Sequence, residues 1–198
     1  MAIDKATIQA YTDRIDDYRG LVKDIKNPDL EQFIKLLPKA GKVLDAGAGP
    51  GNDALKMRTA GLDVTALEPT PEFADLIEAA GTPLIRQDFE GIPDSGDYDG
   101  VWASFSLLHV ARNDCYRHIQ QIHKALKPGG ILVLGMKLGD GEKRDHLGRY
   151  YCYYSEEELL SMLSDTGFDV LHQRSGSAKG LAGNKEPFIY LTAKRLSS

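Results

Sequence analysis

The sequence predicts an α/β fold, a doubly wound and mostly parallel sheet with helices on both faces. Three observations predict it. From Lys42 onward, short apolar runs (KVLDAG, DVTALE, PLIRQD, DYDGVWASF, ILVLGMK) alternate with helical stretches such as DALKMRTAG and PEFADLIEAAG, and such alternation builds parallel strands joined by crossover helices. The first apolar run passes directly into the glycine turn Gly47-Ala48-Gly49-Pro50-Gly51, the strand-to-helix turn that meets a ligand most closely in open sheets. A chain of 198 residues holds one domain with a full core.

In chain order, Ile8, Tyr11, Ile15 and Tyr18 recur at helical spacing, and a second helix is expected from Pro28 to about Leu37. After the strands and helices above come a helix from Asn113 to Leu126, the turn KPGG, the strand ILVLGMK, and a polar, glycine-bearing, aromatic loop from Gly139 to Tyr154. Ser155 with Glu156, Glu157 and Glu158 reads as a capped helix start running to Asp165, so this acidic run needs no catalytic role. The strands FDVLHQRS and PFIYLTAKR finish the pattern.

Composition excludes several classes. The formal net charge of -5 argues against a nucleic-acid surface, although KLGDGEKRDHLGR could face an anion. The amino terminus carries Asp4, Lys5, Asp13, Arg14 and Asp16 where a signal peptide would be apolar, and no run reaches membrane-spanning length. Cys115 and Cys152 lack metal-ligand spacing and sit far apart, which points to a reducing, cytoplasmic setting. A monomer or homodimer is expected, with no membrane partner.

The glycine turn is not a dinucleotide fingerprint, because Asn52 stands where the third glycine would fall. Asp45 just before it would repel pyrophosphate and attract a cationic or amino-bearing ligand. Glu68 ends the second strand about twenty residues on, where a carboxylate can accept from both ribose hydroxyls. After the third strand, Asp88 could accept from an adenine amino group and Phe89 could flank the base.

The run DAGAGPG, the strand-end Glu68, Asp88, the stretch DYDGVWASFSLLHV and the LKPGG turn together resemble class I S-adenosylmethionine-dependent methyltransferases, from about Tyr11 to Lys194. The resemblance implies a Rossmann-like sheet of seven strands, the last antiparallel. It implies S-adenosylmethionine as cofactor and S-adenosylhomocysteine as product. Asp45 with the backbone of Gly47, Ala48 and Gly49 would hold the methionine portion, and Glu68, followed by Pro69, the ribose. Asp88 and Phe89 would hold the adenine, and Ala103 and Ser104 the amino group. Tyr11 and Tyr18 would fold over the cofactor or, alternatively, pack a helix face. Residues 1–40 would then cap the site, 41–137 bind cofactor, 138–154 form a substrate lid, and 155–198 complete the domain.

A sulfonium methyl is already activated, so alignment and desolvation suffice for much of the rate. His109 stands where a general base would meet the acceptor, with a structural role as the alternative. The strand end Ala103-Ser104-Phe105-Ser106 is not the Asn/Asp-Pro-Pro-Tyr of exocyclic amino methyltransferases, and neither cysteine follows a prolyl-cysteine pattern. Asp140, Glu142 and Asp145 read as a solvated loop rather than a metal site, so no metal is expected. Arg149 with Tyr150, Tyr151, Tyr153 and Tyr154, helped by Lys137, could grip an anionic acceptor; alternatively the tyrosines pack and Arg149 pairs with a nearby acid. The expected activity is methyl transfer by in-line displacement to an O, N or S atom of a small molecule. The alternatives are a cofactor-binding protein without turnover and an NAD-dependent oxidoreductase.

Overall fold

A computed structural model describes residues 4–23 and 25–197. Two short helices, α1 (Lys5–Thr12) and α2 (Ile15–Val22), open the chain. The Asp4 side chain caps α1 by accepting from the Thr7 N–H. Helix α3 (Pro28–Leu36) starts with Asn27 as cap and Pro28 in the first turn, a position where proline's missing N–H costs nothing.

The alternating region then follows in order: β1 (Lys42–Ala46), α4 (Asn52–Thr59), β2 (Asp63–Leu67), α5 (Pro71–Ala79), β3 (Leu84–Ile85), β4 (Tyr98–Ser104), α6 (Arg112–Ala125) and β5 (Leu126–Lys137). A hairpin of β6 (Glu142–Arg144) and β7 (Tyr150–Cys152) precedes α7 (Glu156–Asp165), β8 (Phe168–Lys179) and β9 (Lys185–Arg195). The main sheet has seven strands in the order β3-β2-β1-β4-β5-β9-β8. Pairing is parallel from β3 to β5, while β9 runs antiparallel to both β5 and β8.

Successive strand residues point to opposite faces, and the core divides accordingly. Val43, Val64, Trp102 and Val133 pack under Phe33 of α3 and Met57 of α4. Leu44, Ala103, Leu132 and Leu134 pack against Ile119 and Ile122 of α6 and Leu159 and Leu163 of α7.

Three elements differ from expectation. The strand expected in PLIRQD is only Leu84–Ile85; it lies at a sheet edge, where short strands limit unwanted pairing. In LKPGG, Lys127 to Gly130 loop out between the Tyr98↔Leu126 and Gly100↔Ile131 pairs, with Gly129 at φ 79°. The segment expected to be a loop folds into the β6–β7 hairpin, invisible as strands because EKR carries no apolar alternation. The Ser155 capping box forms as expected.

Candidate active site

The site is built at the carboxyl ends of β1, β2 and β4. Gly47 leaves β1 at φ 80°, and a β-carbon there would lie 2.3 Å from the Ser106 β-carbon, so only glycine fits. Ser106 Oγ locks the same turn by donating to the Ala46 carbonyl at 2.6 Å. The N–H groups of Gly47 and Ala48 donate to the Leu67 carbonyl at 2.8 and 3.1 Å. That of Gly49 donates to Glu68 Oε2 at 2.8 Å, while Glu68 Oε1 accepts from the Thr70 N–H at 2.8 Å. The loop's donors are thus spent inside the protein, which is the opposite of a pyrophosphate cradle.

Electrostatics point the same way. Asp45 is 3% exposed, and its Oδ2 has no hydrogen-bond partner among the described residues. Burial, then the nearby Asp53 and Glu68 carboxylates, hold its pKa well above the ordinary range. Burial also raises Glu68 to about 7, against the pull of the Thr70 and Gly49 hydrogen bonds. Asp53 accepts from Trp102 Nε1 at 3.2 Å. Buried carboxylates that crowd one another, one with an orphaned oxygen, are stabilised by a cation or an ammonium donor. The residues present therefore fit the amino-bearing, sulfonium cofactor.

Two cavities share Tyr18, Gly47, Gly49, Ser104 and Phe105 in their walls. The smaller, of about 60 Å³, adds Tyr11, Glu68, Pro69 and His109. The larger, of about 420 Å³, adds Asp45, Ala48 and Asp53. Tyr11 and Tyr18 meet at 5.0 Å between ring centres, and both pack on Phe73 of α5. The α1 end is further tied down by Thr12 Oγ1 donating to Glu72 at 2.7 Å.

His109 is 7% exposed, with Nδ1 2.6 Å from the Tyr150 carbonyl and Nε2 2.9 Å from the Tyr11 hydroxyl. A carbonyl only accepts, so Nδ1 carries the proton and Nε2 presents its lone pair. Burial lowers the pKa to about 4, keeping the ring neutral. Arg149 is 2% exposed; its guanidinium pairs with Asp145 at 2.7 and 3.0 Å and donates to the Tyr11 hydroxyl at 3.1 Å. Tyr151 is buried with its ring 4.7 Å from that of His109.

The other candidate residues lie elsewhere. Asp88 is half-buried and caps a short 3₁₀ turn by accepting from the Glu90 N–H at 3.0 Å. Phe89 is buried in the core beside His118, and Ala103 faces the core as well; none of the three lines either cavity. Lys137 pairs with Glu186 and lies 3.8 Å over the Tyr151 ring. The Tyr150 N–H donates to Thr7 Oγ1 at 2.9 Å, while its phenol bonds Glu142. Among the described residues no group of three or more His, Cys, Asp or Glu is placed to hold a metal, and no helix is long and apolar enough to cross a membrane.

Sequence reasoning missed the wall of the larger cavity formed by Asn27, Trp102, Arg174, Phe188 and Tyr190. Phe188 and Tyr190 stand two apart in PFIYLT, which places them on one strand face. Arg174 lies in an exposed edge strand whose partner cannot be read from one sequence.

A seven-stranded sheet with its sixth neighbour reversed and a glycine turn directly after β1 define the class I methyltransferase fold. The methyltransferase-domain family model matches residues 17–173, and the chain belongs to that family. Malonyl-acyl-carrier-protein O-methyltransferase of Enterobacter lignolyticus is 26% identical over 180 residues, covering 82% of this chain and 69% of its own. An uncharacterized methyltransferase of Mycobacterium tuberculosis is 38% identical over 103 residues, and there the chain spans only 41% of the relative. The fold matches Burkholderia thailandensis 1,6-didemethyltoxoflavin-N1-methyltransferase, solved with its acceptor and S-adenosylhomocysteine, at TM-score 0.73 and 22% identity, covering 97% and 89% of the two chains.

Proposed function

We propose that the protein transfers a methyl group to an O, N or S atom of a small-molecule acceptor. The observation that carries this reading is Asp45 Oδ2, buried without a partner at the mouth of the glycine turn. When bound, S-adenosylmethionine supplies a methyl group already activated on a sulfonium. Asp45 binds the cofactor's amino group, and Glu68, anchored by Gly49 and Thr70, binds the ribose.

Once the acceptor displaces the Tyr11 hydroxyl from Nε2, His109 accepts the acceptor's proton there. The Tyr150 carbonyl holds the ring in the required tautomer, and Tyr11 and Tyr151 exclude water around it. A base with a pKa of about 4 is always available at neutral pH but weak. Such a base assists only an acceptor that arrives protonated, such as a phenol or a ring N–H, whereas a carboxylate arrives ionised and needs none. The test is to incubate purified protein with methyl-labelled S-adenosylmethionine and metabolite fractions. Label should move to a small-molecule product, whereas transfer only to protein or nucleic acid would contradict the reading.

A further inference from the structure

The larger cavity has a wall that cofactor binding does not explain. Trp102, paired with Asp45 across β1 and β4 and donating to Asp53, stacks on Tyr190 at 5.9 Å with 24° between planes. Phe105 stands edge-on to both Tyr190 and Phe188, at 5.2 and 5.8 Å. Phe105 follows β4 directly and adopts φ 53°, a left-handed backbone that a phenylalanine rarely takes. Backbone strain of this kind concentrates where a side chain is aimed for function.

The Tyr190 hydroxyl is fixed by Asn27 Nδ2 at 3.1 Å and Ser104 Oγ at 2.7 Å. The Arg174 guanidinium lies 5.2 and 5.3 Å from the centres of Phe188 and Tyr190. It is anchored through Nε and Nη2 by Asp29, whose side chain is 2% exposed. A planar guanidinium held along one edge still presents Nη1 to a ligand. Arg174 and Lys26 line the cavity together with Asp45 and Asp53. An anion there is attracted by the two cations and repelled by the carboxylates, and a volume of about 420 Å³ leaves room for a small molecule beside the cofactor.

We propose that the part of this cavity left free beside the Asp45 turn once the cofactor is bound is the acceptor pocket, and that it takes a planar aromatic or heteroaromatic ring carrying an anionic group. The ring packs on the half-buried Phe105 and Phe188, backed by the buried Trp102 and Tyr190, and the anion meets Arg174. The assignment rests on the methyltransferase reading, because the pocket opens on the cofactor's glycine turn through Gly47, Gly49 and Ser104.

Trp102 is the chain's single tryptophan, so its fluorescence reports on the pocket directly. Protein saturated with S-adenosylhomocysteine is titrated with benzoate, 4-hydroxybenzoate and nicotinate, and with cyclohexanecarboxylate and benzamide as controls. The aryl carboxylates should quench saturably, with the controls roughly tenfold weaker because they lack the π face or the charge. Arg174→Gln should weaken the aryl carboxylates about tenfold and leave S-adenosylhomocysteine affinity unchanged. Should that variant misfold, Phe188→Leu provides the second arm, abolishing the preference for benzoate over cyclohexanecarboxylate. No saturation by any aryl carboxylate, equal binding of the controls, or competition with S-adenosylhomocysteine would overturn the assignment. Aryl carboxylates that saturate protein unable to bind S-adenosylhomocysteine would sink the cofactor reading alone.

Discussion

The Tyr11 hydroxyl lies 2.9 Å from His109 Nε2, so the first helix of the chain closes directly onto the one histidine in the site. Tyr11 in turn accepts from Arg149, itself anchored by Asp145. The cap, the β6–β7 hairpin and the strand-four end are therefore joined through one buried hydrogen-bond chain.

The tautomer can be observed. Nitrogen-detected NMR at pH 6 should show His109 neutral with its proton on Nδ1. An imidazolium signal at that pH would contradict both the burial and the proton-accepting role. Replacing His109 with Gln should lower turnover by about 10²-fold or more for an acceptor that must lose a proton, with S-adenosylhomocysteine affinity unchanged.

Stability should follow pH in two opposing ways. His109, lowered from 6.5 to about 4, contributes stability present above 6.5 and lost as pH falls towards 4. Glu68, raised from 4.5 to about 7, contributes stability present below 4.5 and lost as pH rises towards 7. Between those limits the two offset each other. Glu68→Gln should therefore steepen the loss on acidification from pH 6.5 to 4 in urea titrations, and an unchanged slope would remove Glu68 from this balance.

Asp45→Asn should separate stability from function. Removing a crowded buried carboxylate should raise the stability of the ligand-free protein by about 1 kcal/mol at pH 8. Cofactor affinity should fall roughly 10- to 100-fold, the scale of a charged hydrogen bond. A variant that loses both would show Asp45 to be a structural residue.

Arg149→Ala leaves Asp145 unpaired and frees the Tyr11 hydroxyl, so a loss of about 3 kcal/mol is expected from breaking a largely buried pair. Hydrogen exchange should speed up together in α1 and in the β6–β7 hairpin. Faster exchange in the hairpin alone would show that the chain of contacts does not couple them.

Much of the fold was legible because it obeys local rules. The short apolar runs placed β1, β2, β4 and β5, and Ser155 with Glu158 announced α7. The hairpin was not legible, since Glu142–Arg144 pairs through backbone groups that leave no side-chain pattern. The pairing of Arg149 with a nearby acid was one of the two readings, and Asp145, four residues away, supplies it; its bond to Tyr11 was not legible, because Tyr11 arrives only after α1 folds across the sheet. Arg174 reaches Asp29 across 145 positions, a contact set by topology and not by any local motif.

The account turns on what the Asp45 turn binds, and calorimetry measures this directly. S-adenosylhomocysteine should bind one to one and weaken on Asp45→Asn, while NAD should give no heat of binding. Binding of NAD with no response to S-adenosylhomocysteine would contradict the account.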